Sequence, residues 1–356
     1  MVGKAEEKAV LIIKGREFRD WESVMVRHAK NEQPPYRFRF TCSEGQPIAS
    51  NFATLQIMPG DDCQVILAGN LAISGKVSTR QVYYDKRRHY VEIQGATYTE
   101  VLSKSSPISK TMEHKDVTFD QVAKSWLKPY NIPFKVEGGQ LPQMKFPRVS
   151  MMHGLSTFDH LDLYCRNIGA SFTSDPQGSF VAIAGPSGGS DTVIEGKNIL
   201  VGREIIYNAS MQSSAPAITQ GAGSDKESMT KVASQPFFSQ QMEGLNKGGQ
   251  GFAPFTIPME LPTIAKDHMK GRAGSERDWQ KEDEITVFIT VYGWLRPSGG
   301  LWQRNQKVHV TSPMLVMDMD LTAKSVTFTQ DSASGTLTVL ELCNEKAMGG
   351  ETPQLK

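Results

Sequence analysis

The chain has 356 residues, 39% of them hydrophobic and 22% charged, with a formal net charge of +1. That length makes two or three domains with ordinary cores, and the near-neutral balance excludes a protein that chooses its partner by bulk charge, such as a nonspecific nucleic-acid binder. The 31 glycines, 19 prolines and short apolar runs point to β structure with many turns, and no run reaches the ~20 residues of a membrane span.

In chain order, residues 1–8 are a loose charged start and residues 9–13 the first predicted strand. Residues 21–26 alternate without a fully apolar face. Residues 36–40 alternate cleanly, aromatics against Arg37 and Arg39, as a half-buried strand does. Pro59, Gly60, Asp61 and Asp62 form a turn before a short strand at residues 63–67. Residues 65–102 then read as a hairpin, with Val77, Val91 and Ile93 on one buried face around a charged turn at 84–88. From Lys104 the period changes. Phe119, Val122, Ala123, Trp126 and Leu127 fit a helix capped within residues 116–120 and ended by Pro129. Leu161, Tyr164, Cys165 and Ile168 fit a second helix, opened by Thr157, Phe158 and Asp159 and ended by Gly169. Strands are predicted after each helix, at 134–136 and 179–184.

Residues 199–206 return to strand-like sequence. Residues 220–255 are rich in Gly, Ser, Gln and Lys, too poor in large aliphatics to offset their ordering entropy, and read as a long loop or arm. Residues 266–284 carry dense mixed charge and read as a solvated helix or loop, weakened by Gly271 and Gly274. Beyond Glu284, Ile285, Val287, Ile289 and Val291 alternate with their neighbours; a turn at 297–300, a strand at 307–310 and an element at 314–321 follow. Residues 324–342 repeat the logic of the first hairpin. Asp85 and Asp331 are each followed by an apolar residue at the sixth position (Val91, Leu337) and the eighth (Ile93, Val339). One β unit is used twice. The expected fold is mixed and mainly β: a first antiparallel β-barrel over residues 1–103, an α+β domain over 104–196, and a second β-barrel from 197–220 and 284–345. An arm and charged helical segment at 221–283 interrupt the second barrel, and 346–356 form a tail.

The four cysteines are scattered with no CxxC spacing, and no signal peptide precedes them; they are expected to be reduced, with Cys63 and Cys343 as small buried hydrophobes. Gly185 to Gly189 fits the G-x-S-x-G pattern around Ser187, but a nucleophile elbow needs a helix after it and residues 190–196 have no helical period. His153 and His160, with Asp159 and Asp162 nearby, lack a third ligand at a metal-site spacing and read as polar residues around a helix cap. Asp318 and Asp320 share a strand face and read as charges on an exposed edge. Trp294 and Trp302 flank a Gly299-Gly300 turn, where they would either stack on a sugar or base or pack across strands. Arg37 and Arg39, and residues 86–88, are the candidates for nucleic-acid contact. There is no P-loop, G-x-G-x-x-G or HExxH, so the motifs make no case for an enzyme, a cofactor or a metal.

One further pattern runs through nearly the full chain: Gly15-Arg16-Glu17-Phe18 and Trp21-Glu22-Ser23 before a strand, Gly75-Lys76-Val77 leading to Tyr84-Asp85, then His89 to Gly95, and Val291-Tyr292-Gly293-Trp294 with Gly300-Leu301-Trp302. In these residues and their order the chain resembles the baseplate hub proteins of contractile-tailed phages of the Mu type, a family also labelled tail protein D or late-control protein and similar to the N-terminal part of type VI secretion spike proteins. The resemblance implies a structural homotrimer in the virion baseplate, assembled in the host cytoplasm. In it, two similar barrels per subunit form a ring of pseudo-sixfold symmetry. It implies as partners the tail tube, the central spike and other baseplate proteins, with DNA passing through the channel without specific binding and no membrane insertion. The runner-up readings are a type VI secretion-like spike component, or a tail-associated hydrolase or sugar-binding module.

Overall fold

The computed structural model describes residues 7–43, 56–86, 89–107, 113–206 apart from 153 and 188, and 285–344, with short pieces between 217 and 276. The chain begins with seven strands: β1 (Ala9–Ile13), β2 (Arg16–Phe18), β3 (Ser23–Ala29), β4 (Tyr36–Ser43), β5 (Asp62–Leu67), β6 (Asn70–Tyr84) and β7 (His89–Thr97). The alternation read in the sequence is the alternation of burial. In β4, Tyr36, Phe38 and Phe40 are buried and Arg37 and Arg39 exposed, because successive side chains of a strand leave opposite faces of the sheet.

The middle of the chain folds as β8 (Glu113–Thr118), α1 (Phe119–Leu127), β9 (Phe134–Glu137), β10 (Lys145–Ser150), α2 (Thr157–Asn167), β11 (Ser171–Ser174) and β12 (Phe180–Ile183). Both helices carry a capping box, Thr118 with Gln121 and Ser156 with Asp159. The residues at helical spacing in α1, from Phe119 to Leu127, are those buried, against Tyr164, Phe172 and other residues of a core belonging to this unit alone. β8, β10 and β11 were not visible in the sequence. β8 and β10 pair as a polar two-stranded ribbon, whose residues offer little hydrophobic period to read.

The remainder comprises β13 (Ser190–Ile194), β14 (Ile199–Ile206), β15 (Ala217–Ile218), β16 (Pro236–Phe238), β17 (Ile257–Pro258), β18 (Ile285–Tyr292), β19 (Lys307–Ser312), β20 (Met317–Asp331) and β21 (Gly335–Asn344). Most of the predicted 220–255 arm lies outside the described residues; β15, β16 and β17 join as a small three-stranded sheet at its ends and within it. Of the predicted charged segment at 266–284, only Arg272 and Glu276 are described, both helical and paired at 2.8 Å.

β1–β7, β13, β14 and β18–β21 form one 13-stranded sheet. Its two halves have the same connectivity. In the first, the order β1-β5-β6-β7-β4-β3 is built from the first, fifth, sixth, seventh, fourth and third strands. In the second, β13-β19-β20-β21-β18-β14 repeats it in the same relative chain order. β6 and β20 are both 15 residues long, and each is bulged at the same place, between Val77 and Thr79 and between Ala323 and Ser325. The halves differ at one pairing: β1 meets β5 antiparallel, β13 meets β19 parallel.

Two expectations are corrected. The sequence reading has two antiparallel β-barrels, but among the described residues no ladder closes either half. Closure of the first would need β3 to meet β1 or β2; instead the free edge of β3 is taken by β20 of the second half, antiparallel, from Ser325 opposite Ala29 to Asp331 opposite Ser23. Both halves therefore contribute to one hydrophobic core. The repeat was also set one residue out. With the bulges aligned, Gly95 opposite Val77 corresponds to Leu342 opposite Ala323. Val91 and Ile93 then match Thr338 and Leu340, which are buried, while Leu337 and Val339 point to the half-buried face. The connection is one residue longer in the second copy, and a one-residue slip exchanges the faces of a strand.

Candidate assembly surface

The residues that carried possible chemistry are occupied in the fabric of the fold. Ser187 lies in a turn followed by strand β13, not by a helix. Its hydroxyl donates to Glu137 and accepts from Asn305 Nδ2 at 2.8 Å. His160 is fully buried in α2; its Nε2 accepts from the Met152 backbone N–H, its Nδ1 faces the Ser156 carbonyl at 2.8 Å, and its ring packs edge-on to Trp126. Asp159 is the capping-box carboxylate and Asp162 pairs with Arg166 at 2.9 Å. His153 lies outside the described residues. Trp294 and Trp302 are buried in the core rather than presented to a ligand, and Trp294 Nε1 donates to the Thr329 carbonyl at 3.1 Å. Packing, not stacking on a sugar, is their role.

Asp318 and Asp320 are exposed and share His309, at 3.2 and 2.7 Å. The hydrogen bond that Asp320 accepts from the His309 ring leads the effects that raise the His309 pKa. The sequence reading did not include His309, which sits on β19 and meets the pair only through strand pairing. Arg37 pairs with Glu32 at 3.6 Å; Lys86 is exposed, and residues 87 and 88 are not described. All four cysteines are buried, and burial pushes the Cys63 thiol up to about 12.

The sequence also gave no sign of the buried polar junction. Arg304, 6% exposed, donates through Nε to the Tyr36 hydroxyl at 3.1 Å and through Nη2 to the Ser174 carbonyl at 3.1 Å, and pairs with Glu137 at 2.6 Å. Those partners lie on β4, β11 and β9. One guanidinium thus ties both sheet halves to the helical unit through two hydrogen bonds and one ion pair. Beside it, Thr173 Oγ1 donates to the Ala29 carbonyl at 2.7 Å, and Asn31 and Phe172 exchange two hydrogen bonds. Glu7 reaches across to accept from the Trp294 and Leu295 backbone N–H groups.

Two outward-facing strand edges carry apolar side chains. Past its bulge, β6 has β7 on one side and no described strand on the other; β14 has β18 on one side only. Seven of the fourteen exposed large apolar side chains among the described residues lie on these two edges: Val82, Tyr83 and Tyr84, and Leu200, Val201, Ile205 and Ile206. A long apolar edge exposed to water is an invitation to pair. This is the surface on which the fold has most left to bury.

Three family models match the chain in succession: the N-terminal part of the Mu phage baseplate assembly protein GpP-like at residues 8–97, the second domain of baseplate hub protein gp44-like at 99–183, and the fourth domain of Mu phage baseplate assembly protein GpP at 266–351. The chain belongs to the Mu-type baseplate hub family. Baseplate hub protein gp44 of Escherichia phage Mu is 21% identical over 332 residues, 92% of this chain and 85% of that protein. Among solved structures, the 43 kDa tail protein of prophage MuSo2 from Shewanella oneidensis superposes with a TM-score of 0.81 at 21% identity, covering 96% of this chain and 100% of that one. A type VI secretion component, the E. coli c3393 protein, superposes at 0.60 with 10% identity, covering 97% and 79%. Members of the hub family are structural proteins of the phage tail, not enzymes, and this hub chain is one of them, a virion protein of the baseplate. No helix among the described residues is long and apolar enough to cross a membrane.

Proposed function

We propose that three copies of this hub chain assemble into a ring that joins the tail tube to the central spike and encloses the path of the DNA. The observation that carries this reading is the repeated strand order within one chain, since two like modules in each of three subunits supply six positions, enough for a threefold hub to meet a sixfold tube. The first module comprises residues 1–103 and the second comprises β13 with 197–220 and 284–345, so the expected boundary at 196 falls instead before Ser190; the helical unit ahead of it braces the first module against the second through Arg304. The near-neutral net charge of +1 favours passage of DNA over retention. The sequence readings as hydrolase and sugar-binding module have lost their residues, because Ser187 is hydrogen-bonded to Glu137 and Asn305 in a turn before a strand, and Trp294 and Trp302 are buried. Light scattering on the purified chain tests the ring. A particle of about 118 kDa, three times the 39.4 kDa chain, is expected, and a stable monomer counts against it.

A further inference from the structure

The molecule contains its own template for the contact between subunits. β20, beyond its bulge, is flanked by β21 on one side and β3 on the other. Its counterpart β6 has β7 but nothing described in the place of β3. β3 in turn is flanked by β4 and β20, whereas its counterpart β14 has β18 alone among the described strands. Each open edge is thus the equivalent of an edge that is already paired inside the chain, and the two missing partners are each other.

We propose that the outer half of β6 in one subunit pairs antiparallel with β14 of the next, repeating between molecules the seam that β20 and β3 make within one. This inference rests on the trimeric ring proposed above and adds to it the strands and their register. The register transfers through the paired strands. Aligned bulges match Val82 to Phe328, and the ladders through β7 and β4, and through β21 and β18, match Glu204 to Val26. Because Phe328 lies opposite Val26, Val82 lies opposite Glu204 of the neighbour, Gln81 opposite Ile205 and Tyr84 opposite Gly202. The internal seam shows what such pairing does to exposure: Phe328 and His28 stand at 0% and 4%, while their counterparts Val82 and Ile206 stand at 46% and 60%. Main-chain hydrogen bonds along the edges supply affinity, and the apolar side chains on both supply the buried area. The contact is head-to-tail, so it closes into a ring only if its rotation completes the one made by the internal seam.

Cysteine pairs read the register directly, since a disulfide needs Cα atoms roughly 4.4–6.8 Å apart and the native cysteines are all buried. One pair combines Gln81→Cys with Ile205→Cys; the adjacent pair combines Val82→Cys with Glu204→Cys, so that both kinds of antiparallel site are sampled. The offset pair Gln81→Cys with Arg203→Cys is the control. Mild oxidation of the assembled protein is expected to give covalent dimers and trimers on a non-reducing gel for at least one in-register pair, and at least tenfold less for the offset pair. Mixing chains that carry Gln81→Cys alone with chains that carry Ile205→Cys alone is expected to give a covalent dimer, which places the bond between molecules. A particle of trimer mass in which neither in-register pair crosslinks, or the offset pair crosslinks equally, overturns this seam and leaves the ring standing. A monomer at every concentration overturns the ring itself.

Discussion

His28 is buried in β3, its ring stacked on Tyr36 with centroids 3.9 Å apart and 9° between planes. Burial, and then the charge of Arg304, lower its pKa to about 3. The folded value is depressed, so the unfolded chain takes up a proton that the folded chain refuses. The stability from keeping His28 neutral is complete above its ordinary value of 6.5 and is lost as the pH falls from there toward about 3, at up to ~1.4 kcal/mol per pH unit. Urea midpoints measured from pH 7.5 to 4 are expected to fall more steeply for the wild type than for His28→Gln, with the difference opening below pH 6.5; parallel curves would show that His28 takes no part. None of this was legible beforehand. His28 follows a strand whose faces looked equally mixed, and its neighbour Arg304 is 276 positions away in the chain.

At the scale of elements, the two long hairpins fill equivalent space by opposite means. In the first, Phe38 lies directly opposite Gly95; in the second, the same position pairs Val287 with Leu342. A large ring over a bare glycine and two medium aliphatics solve the same packing problem, because an interior must be filled to fixed density whatever the division between neighbours. Gly95 is held to this by contact: a Cβ there would stand 2.5 Å from the Phe38 ring and 2.4 Å from the Lys76 carbonyl. Gly95→Ala is expected to cost about 2 kcal/mol or more in denaturant unfolding. Adding Phe38→Val should recover only part, since the clash with the Lys76 backbone persists. Full recovery, or no loss in the single variant, would refute this account of the pair.

Over the whole molecule, the β20–β3 seam and the shared core make the two halves one mechanical body, while the helical unit keeps a core of its own. Hydrogen exchange followed by mass spectrometry is expected to give β4, β7, β18 and β21 the same opening free energy, because one half cannot leave without exposing the other. Distinct opening energies for the two halves would mean the seam is weak. The candidate surface was half legible. Residues 199–206 read as strand-like sequence and 84–88 as the charged turn of a hairpin, which located both strands but not their exposed apolar side chains. That both are open edges appeared only once β20 had taken β3 and β18 had taken β21.

By itself, the sequence determined which face of β4, β7 and β18 is buried, where both helices begin and end, and that a β unit occurs twice. Alternation, helical period and capping are local signals written in side chains. Tertiary structure alone decided that β20 crosses to β3, that β13 runs parallel to β19, and that Arg304 meets Tyr36 and Glu137. Strand pairing is made by backbone amides and carbonyls that are alike at every position, so which edge meets which is settled by the packing of the whole chain.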